Sequence, residues 1–527
     1  MKNAALIPFS FRLLPLLLVA AVVGILAVSI DVWWITLSLS LVLAIPLFVV
    51  AIVRKKVMMG LIAIVLLLAT AVGVLSVETT VRRSSYYSGK AAVVGRIAEV
   101  RSSDGYVEGL VLDSLTIRGD KVSGKCSVTV DLDGYVDGDD DAPYVVGTPL
   151  KAGAWVRVWG KVSTVRLNYY KSYPMHQVLD STFYRQDAEE IYIQSTTPVL
   201  YAYEKAQKAI LKVLVDRMGW DAGGLSYAML LGQTGKLTDD VVTGYRSAGI
   251  AHLLAVSGLH VGLLVGAVLL LLRLCRCPAR WRWLPTLVVW LPYAWLCGWS
   301  PSVLRAGTMA LTLLVAKSLG RRYDPPSAWA GAALLLLLIK PLWLFDVSFL
   351  LSFAAYFGII VLLPYFRRGF DRLAGLPKLS FLDKVPSFLR EALVINLAVT
   401  LSVTPLSVYF FGGISWLTIP FNLVFVPLMS LVYTVLFWGT LLGLVWSGLS
   451  VVLYPVQWVV LLVNRTMMWV AGGGFLRFRF AVYGIPVYYL GLAFVSPYCR
   501  YPAKIKYPLG LGVTAGGILL GVLLGLS

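Results

Sequence analysis

The stretch RSAGIAHLLAVSGLHVG, Arg246 to Gly262, sets two imidazoles and a serine hydroxyl immediately before a long apolar run, residues 261–274. His252 and His260 are two of only three histidines in the chain. Polar side chains at membrane depth are costly and normally face a bundle interior or a water-filled path. Irregular backbone is tolerated there on the same condition. The stretch therefore predicts a membrane-embedded polar site with a broken or re-entrant helix near Ser257 and Gly258. Gly258, Gly262 and Gly266 recur every fourth residue, a spacing that predicts a closely packed helix neighbour. His260 lies one helical turn beyond Ser257, within hydrogen-bond reach of it.

The rest of the chain supplies the membrane setting. Of 527 residues, 58% are hydrophobic and 14% charged, whereas soluble domains are about a quarter charged. Apolar runs approaching the roughly 20 residues that span a bilayer recur throughout. The first three are residues 13–30, 34–53 and 57–77, the first read as a retained helix, not a cleaved signal. Later runs are 284–299, 303–319, 328–339, 342–363, 391–411, 414–445 (broken at Pro420 and Pro427), 451–470, 482–495 and 509–526. With the span that begins near Gly258 they predict about 13 crossings. Net charge is +19, but residues 78–200 hold 14 basic and 16 acidic side chains. The excess sits beside apolar runs, at 54–56, 273–282, 317–322, 367–390 and 500–506, which is the mark of cytoplasmic loops and not of a nucleic-acid coat. Cys126 is alone in the polar region, and Cys275 and Cys277 lack the spaced partners of a zinc site. No metal or cofactor is expected.

Residues 78–197 change character. Strand signals at 91–100, 106–118, 126–132 and 149–165 are separated by turn residues and by the acidic tract 137–141. Trp155 and Trp159 share one face of the last run. Several short strands at this spacing predict a small barrel of the OB type. Such barrels bind single strands by aromatic stacking in a basic groove, a purpose Tyr169, Tyr170 and Tyr173 suit; the bland alternative is that the aromatics are core. Residues 198–244 read as interfacial amphipathic helices, with Lys205, Lys208 and Lys212 at helical spacing. Gly235-Lys236 lacks the remainder of a phosphate loop, because Leu230 and Leu237 stand where glycine and Ser/Thr belong. Residues 1–77 then form three N-terminal transmembrane helices and 245–527 the transmembrane core. The fold class is a polytopic α-helical membrane protein with an inserted small extracytoplasmic β domain, an OB-like barrel. Arg305, Asp346, Ser352 and Asn422 are further polar points in or beside spans, with snorkelling or internal bonding as the structural alternative.

The run AGIAHLLAVSGLHVGLL, Ala248 to Leu264, closely resembles the signature of the ComEC competence-protein family. PSVLRAG at 301–307, SFLLSFAAYFGI at 348–359, and TPLSVYFFGGIS followed by IPFNLVFVPL within 404–428 resemble further family motifs in the same order. The resemblance covers residues 227–445. It implies an inner-membrane channel that passes single-stranded DNA into the cytoplasm during natural transformation. It also implies a DNA-receptor protein outside and an ATP-driven DNA-pulling protein in the cytoplasm. By motif, His252, Ser257, Gly258 and His260 belong to the core of that channel. Leu350 stands where the family usually has glutamine. Many members carry a metallo-β-lactamase-like domain; with three histidines and no HxHxDH pattern this chain is expected to lack that two-metal centre. Any strand degradation would then fall to a separate nuclease.

The expected DNA path comprises Lys236, Arg246, His252, Ser257, Gly258, His260, Arg305, Asp346, Ser352 and Asn422, and the protein is expected to be a transporter, not an enzyme. Two other readings stay open. Broken helices also suit a transporter of a lipid or cell-envelope precursor. Ser257 with His260 suits an intramembrane hydrolase, although no third orienting group or nucleophile elbow is evident.

Overall fold

A computed structural model describes residues 88–103, 106–122, 125–130, 144–145, 148–149, 154–164, 182–196, 198–234, 237–374, 386–470, 475–499 and 501–526, plus isolated residues between 15 and 71. The three N-terminal spans, the acidic tract, Tyr169, Tyr170, Tyr173 and Lys236 lie outside the described residues. The chain divides into two compact units, Leu16–Lys208 with Leu334–Asp346, and Met1–Pro15 with Ala209–Ala333 and Val347–Ser527.

The first unit is built on five main strands: β1 Ser88–Ser103, β2 Tyr106–Ile117, β3 Lys125–Val130, β4 Ala154–Thr164 and β5 Thr182–Thr196. Hydrogen bonding runs in the order β1-β4-β5-β3-β2, and β1 also pairs with β2. β3 and β5 are parallel; the other main pairs are antiparallel. Side chains alternate across the strands, so β4 buries Ala154, Val156, Val158 and Val162 and turns Trp155, Arg157, Trp159 and Lys161 outward. The core joins these valines to Ile97, Leu110, Leu112 and Tyr184. Gln186 of β5 is fully buried and donates to the carbonyls of Ala91 and Val158, each at 3.1 Å. Phe345, from the 3-10 helix Pro341–Phe345, packs on the same core.

The second unit is helical, and two of the helices, Pro198–Leu231 and Pro325–Ile339, have one end in each unit. Helix α1, Pro198–Leu231, is broken at Gly219, whose φ of 71° is left-handed. Lys205, Lys208 and Lys212 are exposed before the break. Residues 222–231, expected at the membrane surface, are buried throughout; their side chains are apolar or small, and the core takes them in. Next come α2 Asp239–Ser247, α3 Gly258–Leu274, α4 Trp283–Leu296, α5 Pro301–Ser318, α6 Pro325–Ile339, α7 Val347–Val361, α8 Leu363–Ala374 and α9 Ser387–Phe411. The series ends with α10 Thr418–Val445, α11 Leu453–Val470, α12 Gly484–Val495 and α13 Ala503–Leu526.

Among the described residues five helical segments are long and apolar enough to cross a bilayer, Ala251–Leu274, Ser387–Phe411, Thr418–Val445, Ser447–Val470 and Ala503–Leu524, and the pair α7 and α8, bent by 47°, would make a sixth. This is a multi-pass membrane protein. The remaining runs form helices of 12 to 18 residues, about 18–27 Å long at 1.5 Å per residue, short of a hydrocarbon core of about 30 Å.

One local expectation is corrected. The run 414–445 is not broken at its prolines: Gly413–Ser415 is a short strand paired with Phe475–Arg477, and α10 continues through Pro427. Pro420 falls in the first turn, where the backbone N–H has no intrahelical partner to lose. Gly262 and Gly266 meet no neighbour among the described residues, so no described helix is seated on the α3 glycine spacing. Close packing of small residues occurs instead between α12 and α13, where a Cβ on Gly517 would lie 2.6 Å from the Tyr488 nitrogen and one on Gly491 2.4 Å from the Thr514 nitrogen.

Candidate functional site

The break before α3 has the predicted place. A 3-10 turn, Ala251–Leu253, gives way to extended backbone at Ser257 (φ −98°, ψ 168°), and α3 starts at Gly258. Ser257 is the N-cap, and its backbone N–H donates to Nδ1 of His260 at 3.2 Å. Capping of this kind satisfies an amide left over at a helix start. With Nδ1 accepting, the neutral ring carries its proton on Nε2. The ring is 1% exposed and stacks on Tyr433, with centroids 4.1 Å apart. The hydroxyls of Tyr433 and Tyr293 are 2.7 Å apart, and Tyr293 donates to the Leu230 carbonyl at 3.0 Å. His260 is thus held by a cap on one side and a ring on the other. Its bond to Ser257 is to the backbone amide and not to the serine hydroxyl. His252 lies in the 3-10 turn and is exposed.

Arg305 is the most unusual side chain of the core. It is only 8% exposed, and among the described residues no carboxylate pairs with it. Its Nε donates to the Ser352 hydroxyl at 2.7 Å, and that hydroxyl is 3.2 Å from the Ser302 hydroxyl. The guanidinium lies over the rings of Phe353 and Tyr356, at 5.9 and 5.7 Å. Its Nη2 sits where a Cβ on Gly258 would approach to 2.7 Å. Gly258 therefore makes the room that Arg305 fills, and the N-terminal parts of α3, α5 and α7 converge on one cation. A buried charge is tolerated only when hydrogen bonds and neighbouring groups replace water; here the Ser352 hydroxyl and two ring faces do so, while the positive pole of the α3 start adds no such support and leaves the site favourable to an anion.

Asn422 belongs to a second polar cluster. Its amide donates to Oδ1 of Asn396 at 3.2 Å, Asn396 donates to the Ile419 carbonyl at 2.8 Å, and the Thr400 hydroxyl also reaches Asn396 at 3.2 Å. Oδ1 of Asn422 is buried without a partner among the described residues. Sequence reasoning missed Asn396, a single amide in an apolar run whose partner is 26 residues away. Arg246 is exposed and lies 5.5 Å from the Phe411 ring. Gly249 adopts a φ of 77°, and a Cβ there would fall 2.0 Å from the Thr418 hydroxyl. Asp346 belongs to the other compact unit, at the end of the 3-10 helix that packs on the β core. Sequence reasoning places Trp155 and Trp159 on one face of β4 but misses that Arg157 and Lys161 share this face and interleave with them on the outside of the sheet, with Trp159 41% exposed.

Residues 229–500, just over half of the chain, match the model of the family described as competence protein. The chain is 30% identical over 229 residues to ComE operon protein 3 of Bacillus subtilis (strain 168), covering 43% of this chain and 27% of that protein. It is 28% identical over 219 residues to Recombination protein 2 of Haemophilus influenzae, covering 40% and 27% respectively. It is also 28% identical over 237 residues to Uncharacterized protein YcaI of Escherichia coli (strain K12), covering 42% and 29%. The match thus spans under a third of the length of each of these relatives. No solved structure matches the chain.

Proposed function

The chain belongs to the competence protein family, and from that premise we propose that it is a channel passing single-stranded DNA across the cytoplasmic membrane during natural transformation. The observation that carries this reading is Arg305, a buried guanidinium without a carboxylate among the described residues. A polyanion crossing a low-dielectric layer needs nearby cations that are not already neutralised, and each phosphate contact adds salt-sensitive affinity.

Charge distribution supports the direction of travel. If the shorter helices α4, α5, α6 and α12 also cross, the bilayer thinning locally to meet them, and α7 with α8 makes one pass, the basic segments 273–282, 317–322, 367–390 and 500–506 fall on one side, the cytoplasmic side. The N-termini of α3, α5, α7 and α10 then share the opposite side. Helix N-termini carry partial positive charge and favour anions. Gly258, Arg305, Ser352 and Asn422 lie close to those ends, with Arg246, His252, Ser257 and His260 just before or within the start of α3. The proposed path enters there.

The β unit would stand outside the cytoplasm as an OB-like barrel; the pairing of β1 with both β2 and β4 supports closure, and the parallel β3–β5 pair fits that topology. Its outward Trp155, Arg157, Trp159 and Lys161 have the interleaving that single-strand binders use. The protein acts as a transporter and not as an enzyme. It works with a DNA receptor outside, an ATP-driven DNA-pulling protein inside and a separate nuclease if one strand is degraded.

The test is transformation frequency in a deletion strain complemented with wild type or with Arg305→Ala. Loss in the deletion, rescue by wild type and at least a tenfold deficit for Arg305→Ala at equal protein level are expected. Unchanged transformation in the deletion strain refutes the uptake role. An envelope defect with normal uptake would instead favour a lipid or cell-envelope precursor as cargo.

A further inference from the structure

An apolar cleft of about 590 Å³ opens between α9, α13 and the loop before α12. Its walls include Pro405 and Val408 of α9, Ile518 and Val522 of α13, and Phe478 and Phe480 of the loop. The volume is within the roughly 300–1,000 Å³ of sites that hold small organic ligands. Its hydroxyl-bearing side chains are turned to other uses: Thr404 donates to the Thr400 carbonyl and Tyr488 to the Leu401 carbonyl, each at 2.7 Å. The interior thus offers apolar surface and no free hydrogen-bonding group from these residues.

One charged residue lines the cleft, Arg479. It is exposed and has no hydrogen-bond or ion-pair partner among the described residues. In the alternation of helices given above it falls on the extracytoplasmic side, where cations are depleted in membrane proteins. An apolar slot with one unpaired cation at its edge is complementary to an amphiphile with an alkyl chain and an anionic head. Basic pockets between membrane helices bind anionic lipid headgroups on the same physical grounds.

We propose that this cleft binds one anionic phospholipid, with an acyl chain along Val408, Ile518 and Val522 and the headgroup phosphate on Arg479. The site is separate from Arg305 and does not depend on the DNA-path reading. Lipid seated there would couple the end of α9 to α13 and hold the short strand pair Gly413–Ser415 and Phe475–Arg477 against them.

The full chain, extracted in mild detergent and offered equal phosphatidylglycerol and phosphatidylethanolamine, is analysed by native mass spectrometry. Wild type should retain one phosphatidylglycerol, preferred at least fivefold over phosphatidylethanolamine. Val408→Trp and Ile518→Trp fill the cleft from different helices, and each should lower lipid occupancy at least fivefold while thermal unfolding stays within a few degrees of wild type. Arg479→Gln should keep acyl occupancy but reduce the preference to near parity. A wild type that carries no phosphatidylglycerol, a folded filled variant with wild-type occupancy, or an unchanged preference in Arg479→Gln overturns the proposal. So does retention of detergent alone.

Discussion

Arg305 holds a charge that its surroundings neither neutralise with a described carboxylate nor expose to solvent. Its planar group suits the two ring faces and the serine, and lysine would keep the charge but lose the fork and the stacking. Arg305→Lys is therefore expected to fall between wild type and Arg305→Ala in transformation frequency. Gly258→Ala, which would put a methyl group 2.7 Å from Nη2, should reduce uptake although it touches no charge; uptake equal to wild type at normal protein level would remove Gly258 from the site. A different residue-scale effect belongs to Cys126 in the β core. Burial pushes its thiol well above the ordinary value of 9.0. Below that value both folded and unfolded chains keep the proton. Above it only the unfolded chain releases it, so this group's contribution to stability falls as pH rises. Denaturant midpoints of the β unit should drop between pH 8 and pH 10 by more in wild type than in Cys126→Ala.

Elements in this protein owe their packing to a few atoms that propensity does not report. Pro405 inside α9 cannot donate to the Leu401 carbonyl four residues earlier, and the Tyr488 hydroxyl of α12 donates to that oxygen instead, at 2.7 Å. Tyr488→Phe leaves the carbonyl unpaired and should cost about 1–3 kcal/mol, read as a lowered unfolding midpoint in detergent. The contact of α12 with α13 depends on glycine, since any side chain on Gly517 would meet the Tyr488 backbone. Gly517→Leu should force the helices apart, cost about 1–3 kcal/mol or more, and expose residues of that seam to thiol probes when Cys is placed at Thr514. Some of this was legible in sequence and some was not. The break at Ser257 was legible because a cap, a glycine and an apolar run are neighbours in the chain. Strand β5 was not: the segment RQDAEE within Thr182–Thr196 interrupts the apolar alternation, and its pairing with β3 and β4 comes from distant strands.

At the scale of the whole molecule, the β unit has its own apolar core. A fragment of residues 78–197 is expected to fold alone, with strand-dominated circular dichroism and a cooperative melt. In that fragment Trp159→Ala should weaken binding of an oligothymidine by about 1–3 kcal/mol, the usual loss for one stacking platform; no change in affinity would take β4 out of the DNA path. Sequence alone determined that the chain is a multi-pass membrane protein, that a polar β-rich segment is inserted in it, and that helix is interrupted before Gly258. Those features follow from hydrophobicity and from backbone preferences shared by adjacent residues. Tertiary structure alone decided that Arg305 meets Ser352, 47 residues away, that Asn422 meets Asn396, that Asp346 stands with the β core, and that Trp159 faces outward. Those meetings depend on which helices and strands pack together, and no local run of residues carries that information.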